Sequence, residues 1–158
     1  MDGGLNTYQI DALLLDDEVC SKMYAGAFPC DEFVREYDDK TRQLFVVNSH
    51  PSNAPGEHWI VVWREGERVN FFDSYGIPIQ MYPSVAKRLR GKNVVETSDR
   101  LQGLTPACGH YCASFCLFVS RGWSMQEFVN YWLDRPARDQ MVMTNINGRL
   151  RELSSRLF

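Results

Sequence analysis

"HWIVVWREGERVNFFD", residues 58–73, decides how the chain is read. Two runs rich in β-branched and aromatic residues flank a short polar break, which is the pattern of a β-hairpin. If Glu65 and Gly66 are the central turn residues, facing positions sum to 131. His58 then lies opposite Asp73, and residues opposed on antiparallel strands hold their Cβ atoms roughly 4.5–5.5 Å apart on one face. The spacing therefore predicts a His–Asp pair at the open end of the hairpin. Glu57 adjoins His58 in sequence but points to the other face, which makes it the poorer partner.

Outward from the hairpin, "LFVVNS" (44–49) reads as a strand. The prolines, glycine and asparagine of "HPSNAPGE" mark the loop that joins it to His58. The hairpin's second strand is expected to run over 68–76, and "NVVET" (93–97) is a fourth candidate. "NTYQIDALLLDDEVCSKMYAG" reads as a helix with Ile10, Leu13, Leu14 and Val19 on one face, closed by Gly26 and Pro29. The apolar stretch 107–119 suits a buried helix. Ser124 and Glu127 form a capping box at the start of a further helix. "INGRLRELSSRLF" ends the chain with Leu150, Leu153 and Leu157 along one side. The expected fold is α+β, a small, mostly antiparallel sheet flanked by helices. With 158 residues and no linker or internal repeat, one domain over 1–158 is expected.

Hydrophobic content is 44% and charged content 23%, as in soluble globular chains. No apolar run reaches membrane-spanning length, and the acidic N-terminus lacks the features of a signal peptide. Five cysteines without a secretory signal point to reduced thiols in an intracellular compartment. A net charge of −3 gives no general reason to expect nucleic-acid binding, although "KRLRGK" (87–92) is a local basic patch.

Three of the cysteines fall in "GLTPACGHYCASFC" (103–116). Their i, i+4, i+8 spacing does not match the paired short spacings of zinc sites, nor the iron–sulfur patterns, so no metal is expected. Disulfides within one helix are geometrically poor. Cys112 and Cys116 read as small core residues. Cys108 differs because "TPAC" places it in the first helical turn, where unpaired N–H groups and the helix dipole favour a thiolate. Gly109 follows, with no side chain to obstruct an approaching substrate. His58 is the candidate base and Asp73 its orienting acid, while His50 and His110 read as loop or structural residues. Gln102, six residues before Cys108, is the candidate oxyanion donor together with the Cys108 N–H.

The order His58-Trp59, Asp73, Gln102, Cys108-Gly109 resembles the adenovirus endopeptidase (adenain) family, within the wider group that includes the SUMO-specific proteases. "MYAGAFPCDEF", "LFVVNSHPSNAPGEHWIVVW", "QGLTPACGHYCASF" and "MTNINGRL" carry the likeness over roughly residues 5–155. Two features depart from the adenoviral pattern. The acid is Asp73 in "FFDSYG" rather than glutamate, as in SUMO proteases and the proteases of Polinton/Maverick-like elements. The Gln102-to-Cys108 gap is one residue shorter and equals that of the SUMO proteases. The resemblance implies a papain-like cysteine endopeptidase that needs no cofactor, with Cys108 as nucleophile, His58 as base, Asp73 as orienter and Gln102 as oxyanion donor. It also implies cleavage beside glycine or other small residues, with Trp59 either forming a narrow slot or serving as plain core. The expected substrate is a precursor protein of an adenovirus-related virus or virus-like element, cut during particle maturation in the host nucleus or cytoplasm and in the virion. The alternatives are a deconjugating protease for a ubiquitin-like modifier, for which little chain remains to build a docking surface, and an inactive interaction module. A monomer is expected. The family's activating peptide can be tethered through a cysteine between the acid and the glutamine. The interval Ser74 to Leu101 has none, which leaves a non-covalent peptide or a disulfide elsewhere, at Cys20 or Cys30, and DNA is not expected to be required.

Overall fold

The computed structural model describes residues 3–54 and 56–157. Five strands form one sheet in sequence order, β1 (Tyr24–Pro29), β2 (Leu44–Asn48), β3 (Trp59–Glu65), β4 (Arg68–Phe72) and β5 (Asn93–Glu96). The inner pairs β2–β3 and β3–β4 are antiparallel, and the outer pairs β1–β2 and β4–β5 are parallel. The α+β class is as expected. The sheet is mixed because the long excursions between β1 and β2, and between β4 and β5, each carry a helix and bring the chain back in the same direction. These helices are α2 (Cys30–Glu36) and α3 (Pro83–Arg88).

The hairpin turn lies one residue further along than expected. Glu65 pairs with Arg68, so Gly66 and Glu67 are the central residues and facing positions sum to 133. Gly66 has φ +60°, which a glycine at the first turn position adopts without strain. Moving a two-residue turn by one position changes the sum by two, and so preserves which face each side chain occupies. β4 ends at Phe72 rather than Gly76.

Helix α1 (Thr7–Asp16) starts with a reciprocal capping box between Asn6 and Gln9 and stops well short of the expected Gly26. The Asp17 carboxylate accepts from the N–H groups of Val19 (3.1 Å) and Cys20 (2.8 Å), which turns the chain out of the helix and into β1. Helix α4 (Cys108–Val119) buries every residue except Phe118. With α1, α5 (Met125–Leu133) and α6 (Arg138–Leu157) it covers the sheet face carrying Leu44, Val46, Val61, Trp63 and Phe72. Phe115 stacks on Phe72 at 4.6 Å. Helices α2 and α3 cover the opposite face, where Phe45, Val47, Ile60, Val62 and Phe71 meet Phe33 and Val85. Both faces are buried, so β2 and β3 read as continuous apolar runs. The expected box at Ser124 and Glu127 caps α5. Helix α6 begins eight residues before Ile146. It anchors through Val142 and Ile146, while Leu157 of the expected apolar face is exposed.

Candidate active site

His58 stands just before β3 and Asp73 just after β4, at the same end of the sheet. In the observed register they are diagonal neighbours on one face, a separation that an imidazole bridges. His58 Nε2 lies 2.7 Å from Asp73 Oδ1. The carboxylate is 1% exposed and is held by two further donors. The Tyr75 N–H donates to Oδ1 (2.9 Å) and the Tyr82 hydroxyl to Oδ2 (2.6 Å). Tyr75 also stacks on the His58 ring at 4.8 Å, which restricts its rotation. Glu57, by contrast, is exposed, and its carboxylate lies 3.8 Å from His50 Nε2.

Cys108 is the first residue of α4, and no side chain caps that end. Burial pushes its thiol up. The His58 hydrogen bond and charge, with the N–H groups of Trp59 and Gly109, outweigh burial and hold Cys108 below its ordinary value. For His58, burial opposes the charged ring, but the Asp73 and Cys108 hydrogen bonds and charges prevail and raise it from 6.5 to about 9. With Nε2 committed to Asp73, Nδ1 is the nitrogen left for the thiol. Both shifts favour a thiolate–imidazolium pair. Cys112 and Cys116 are fully buried, and burial drives both thiols well above the ordinary value. All five cysteines are free. Among the described residues no cluster of His, Cys, Asp or Glu is arranged to hold a metal ion.

Gln102 is 2% exposed, and both ends of its amide are held. Oε1 accepts from the Ser74 hydroxyl (2.7 Å), and Nε2 donates to the Thr105 carbonyl (2.7 Å). An amide nitrogen carries two protons, so one N–H remains for a second acceptor. The Ser74 carbonyl also accepts from the N–H groups of Leu101 and Gln102, which ties the Gln102 segment to the turn that carries Asp73.

Trp59 is largely buried, and its indole N–H donates to the Leu5 carbonyl (3.0 Å). Trp59 and Cys108 line a cleft of about 470 Å³, with Leu5, Asn6, Gly56 and Pro106 in its walls. A second cavity, of about 370 Å³, lies beside His58 and is bounded by Tyr75, Ile77, Met81 and Tyr82. Gly109 has a packing reason that sequence did not supply. A Cβ there would stand 3.0 Å from Leu5 Cβ and 3.2 Å from Trp59 Cδ1, so it faces the wall of the cleft rather than open space. His110 is buried and pairs with Asn147 (2.9 Å). The 87–92 patch is partly neutralised, because Arg88 bonds Asp38 and the Val34 carbonyl.

Ser74, Tyr75 and Tyr82 went unread in the sequence. A carboxylate at a strand end commonly accepts from the N–H two residues on, so the Tyr75 contact had a local signal. Tyr82 is nine residues away across an irregular segment and had none.

No protein-family model matches the chain, and no curated protein does. Its fold is similar to the central domain of the uncharacterized Lpg1148 protein from Legionella pneumophila, with a TM-score of 0.61 at 11% identity, over 96% of this chain and 98% of that one. Two Chlamydia trachomatis structures are more distant. Effector protein Cdu1 bound to ubiquitin has a TM-score of 0.48 at 15% identity, over 96% of this chain and 81% of that one. ChlaDub1 has a TM-score of 0.47 at 14% identity, over 94% and 79% respectively. These likenesses are of fold.

Proposed function

We propose that the chain is a cysteine peptidase. The observation that carries this reading is His58 paired with the buried Asp73 carboxylate and set against a helix-initiating thiol, with His58 and Cys108 each shifting the other toward charge. In the proposed reaction the Cys108 thiolate attacks a carbonyl carbon in the Trp59 cleft. The carbonyl oxygen takes up the electron pair and is met by the free Gln102 Nε2–H and the Cys108 N–H. The C–N bond breaks, the acyl group stays on sulfur, and His58 gives its proton to the leaving amine. Water, deprotonated by His58, then attacks the thioester carbonyl, the C–S bond breaks, and the acid product leaves the thiolate–imidazolium pair restored. Asp73 holds the ring orientation and supports its charge without taking the proton. The thiol lines the Trp59 cleft and the imidazole lines the second cavity, so the acyl half occupies the first and the leaving half extends toward the second.

The resemblance implies glycine or other small residues beside the cut bond, and Trp59 stands in the wall of the cleft that holds Cys108. Among polypeptides with such residues, the C-terminal tail of a ubiquitin-like modifier is the substrate carried forward, and a ubiquitin complex occurs among the structures of similar fold. A viral precursor, implied by the resemblance, has no support of this kind and is the competing outcome. The test compares ubiquitin-like C-terminal reporters with glycine-containing peptides, using wild type and Cys108→Ala under reducing conditions, with and without DNA. Cys108-dependent release from the modifier reporters supports the proposal. Turnover of the peptides alone favours a precursor-cleaving endopeptidase. The absence of both turnover and labelling of Cys108 by a thiol-reactive peptide probe leaves an interaction module.

A further inference from the structure

The loop that joins Gln102 to Cys108 is held from outside the Cys–His–Asp group. Helix α6 starts at Arg138, and its second residue, Asp139, sends both carboxylate oxygens to structure around the candidate oxyanion donor. Oδ2 accepts from the Gly103 N–H (2.8 Å) and the Thr105 hydroxyl (2.6 Å). Oδ1 accepts from the hydroxyl of Tyr111 on α4 (2.6 Å). Arg138 adds a bond from Nε to the Leu101 carbonyl (2.8 Å). The carboxylate approaches so closely that a Cβ at Gly103 would sit 3.2 Å from Oδ2. Thr105 is also the residue whose carbonyl receives Gln102 Nε2. Fixing Thr105 therefore fixes where the second Nε2–H points, and Tyr111 refers the whole clamp to the helix that begins at Cys108.

We infer that Asp139 is a positioning residue, which aims the Gln102 amide at the developing oxyanion by pinning the 103–105 loop between α4 and α6. The inference rests on the peptidase reading for its catalytic consequence and on Asp139 alone for its structural one. A donor displaced by about 1 Å can cost about 10²-fold in rate. Asp139→Ala is therefore expected to lower kcat by about 10- to 100-fold with KM little changed. Asp139→Asn is the conservative variant. Its oxygen can take the Oδ2 place and accept from Gly103 and Thr105, while its NH2 donates to a turned Tyr111 hydroxyl, so kcat should stay within about threefold of wild type.

The experiment measures kcat and KM for both variants in wild-type and Gln102→Ala backgrounds, and follows the Gly103 amide and the Gln102 side-chain NH2 by NMR. If Asp139 acts through Gln102, its removal costs less than about threefold once Gln102 is gone, because the two losses are not additive. Exchange of the Gly103 amide should quicken by about 10-fold or more in Asp139→Ala. Full additivity with Gln102→Ala, a loss confined to KM, or an unchanged Gly103 amide with an unmoved Gln102 signal would each overturn the inference. If wild type shows no Cys108-dependent turnover, the peptidase reading fails, and the two NMR signals still decide whether Asp139 orders this loop.

Discussion

Replacing Asp73 by Asn isolates what charge alone supplies to the site. The amide has the carboxylate's shape, and its oxygen can still accept from His58 Nε2–H and the Tyr75 N–H, now 2.7 and 2.9 Å away. The Tyr82 hydroxyl has only to turn so that it accepts from the new NH2. The hydrogen-bond frame survives and the negative charge is lost. A rise from 6.5 to about 9 at His58 corresponds to about 3 kcal/mol of preference for the charged ring. A carboxylate in direct contact contributes about 1–3 pH units of such a rise, or about 1.4–4 kcal/mol. The sign for stability follows. The folded value of His58 lies above its unfolded one, so its contribution is complete below about pH 6.5 and is lost as pH rises through about 9. Cys108 runs the other way, because its folded value is depressed and its contribution is lost as pH falls through that value. Making Asp73→Asn in a Cys108→Ala background leaves only the first effect. The His58 titration followed by NMR should then move down by about 1–3 pH units, and the loss of urea-measured stability above pH 6.5 should shrink. An unmoved His58 midpoint in a correctly folded protein would refute the claim that Asp73 stabilises the imidazolium.

Three further outcomes are expected. Gln102→Ala should lower kcat by about 10²–10³ with little change in KM, measured by steady-state kinetics on a cleaved reporter. Gly109→Ala should cost about 1–3 kcal/mol in thermal or urea unfolding and raise KM, because its Cβ would press on Leu5 and Trp59 in the cleft wall. Cys112→Ala and Cys116→Ala should lower the melting temperature while the protein that remains folded keeps wild-type kcat, since both thiols fill the core and burial keeps them protonated.

The candidate site residues were more legible than the frame that holds them. His58, Asp73 and Cys108 could be read because a hairpin's parity and a helix start are local properties. A turn displaced by one residue changed His58 and Asp73 from facing to diagonal partners and left them on one face. Strand β1 was hidden because its apolar residues continue the pattern of α1, and a single side chain, Asp17, diverts the chain between them. The mixed sheet was hidden for a related reason, since parallel outer pairings depend on where the chain returns after α2 and α3, which no short window records. Gln102 was visible by its spacing to Cys108. Its restraint by Ser74 and Thr105, and that of Gly103 and Thr105 by Asp139, joins positions up to 36 residues apart and leaves no local signature.

The central claim is that Cys108 is a thiolate paired with His58. The direct measurement is the rate of Cys108 alkylation by iodoacetamide against pH, located by peptide mapping, in wild type and His58→Ala. The account predicts that Cys108 reacts ahead of the other four cysteines, with a midpoint below the value of about 8.5 for a free thiol, and that His58→Ala moves this midpoint upward. A wild-type midpoint at or above about 8.5, or one that His58→Ala leaves in place, would contradict it.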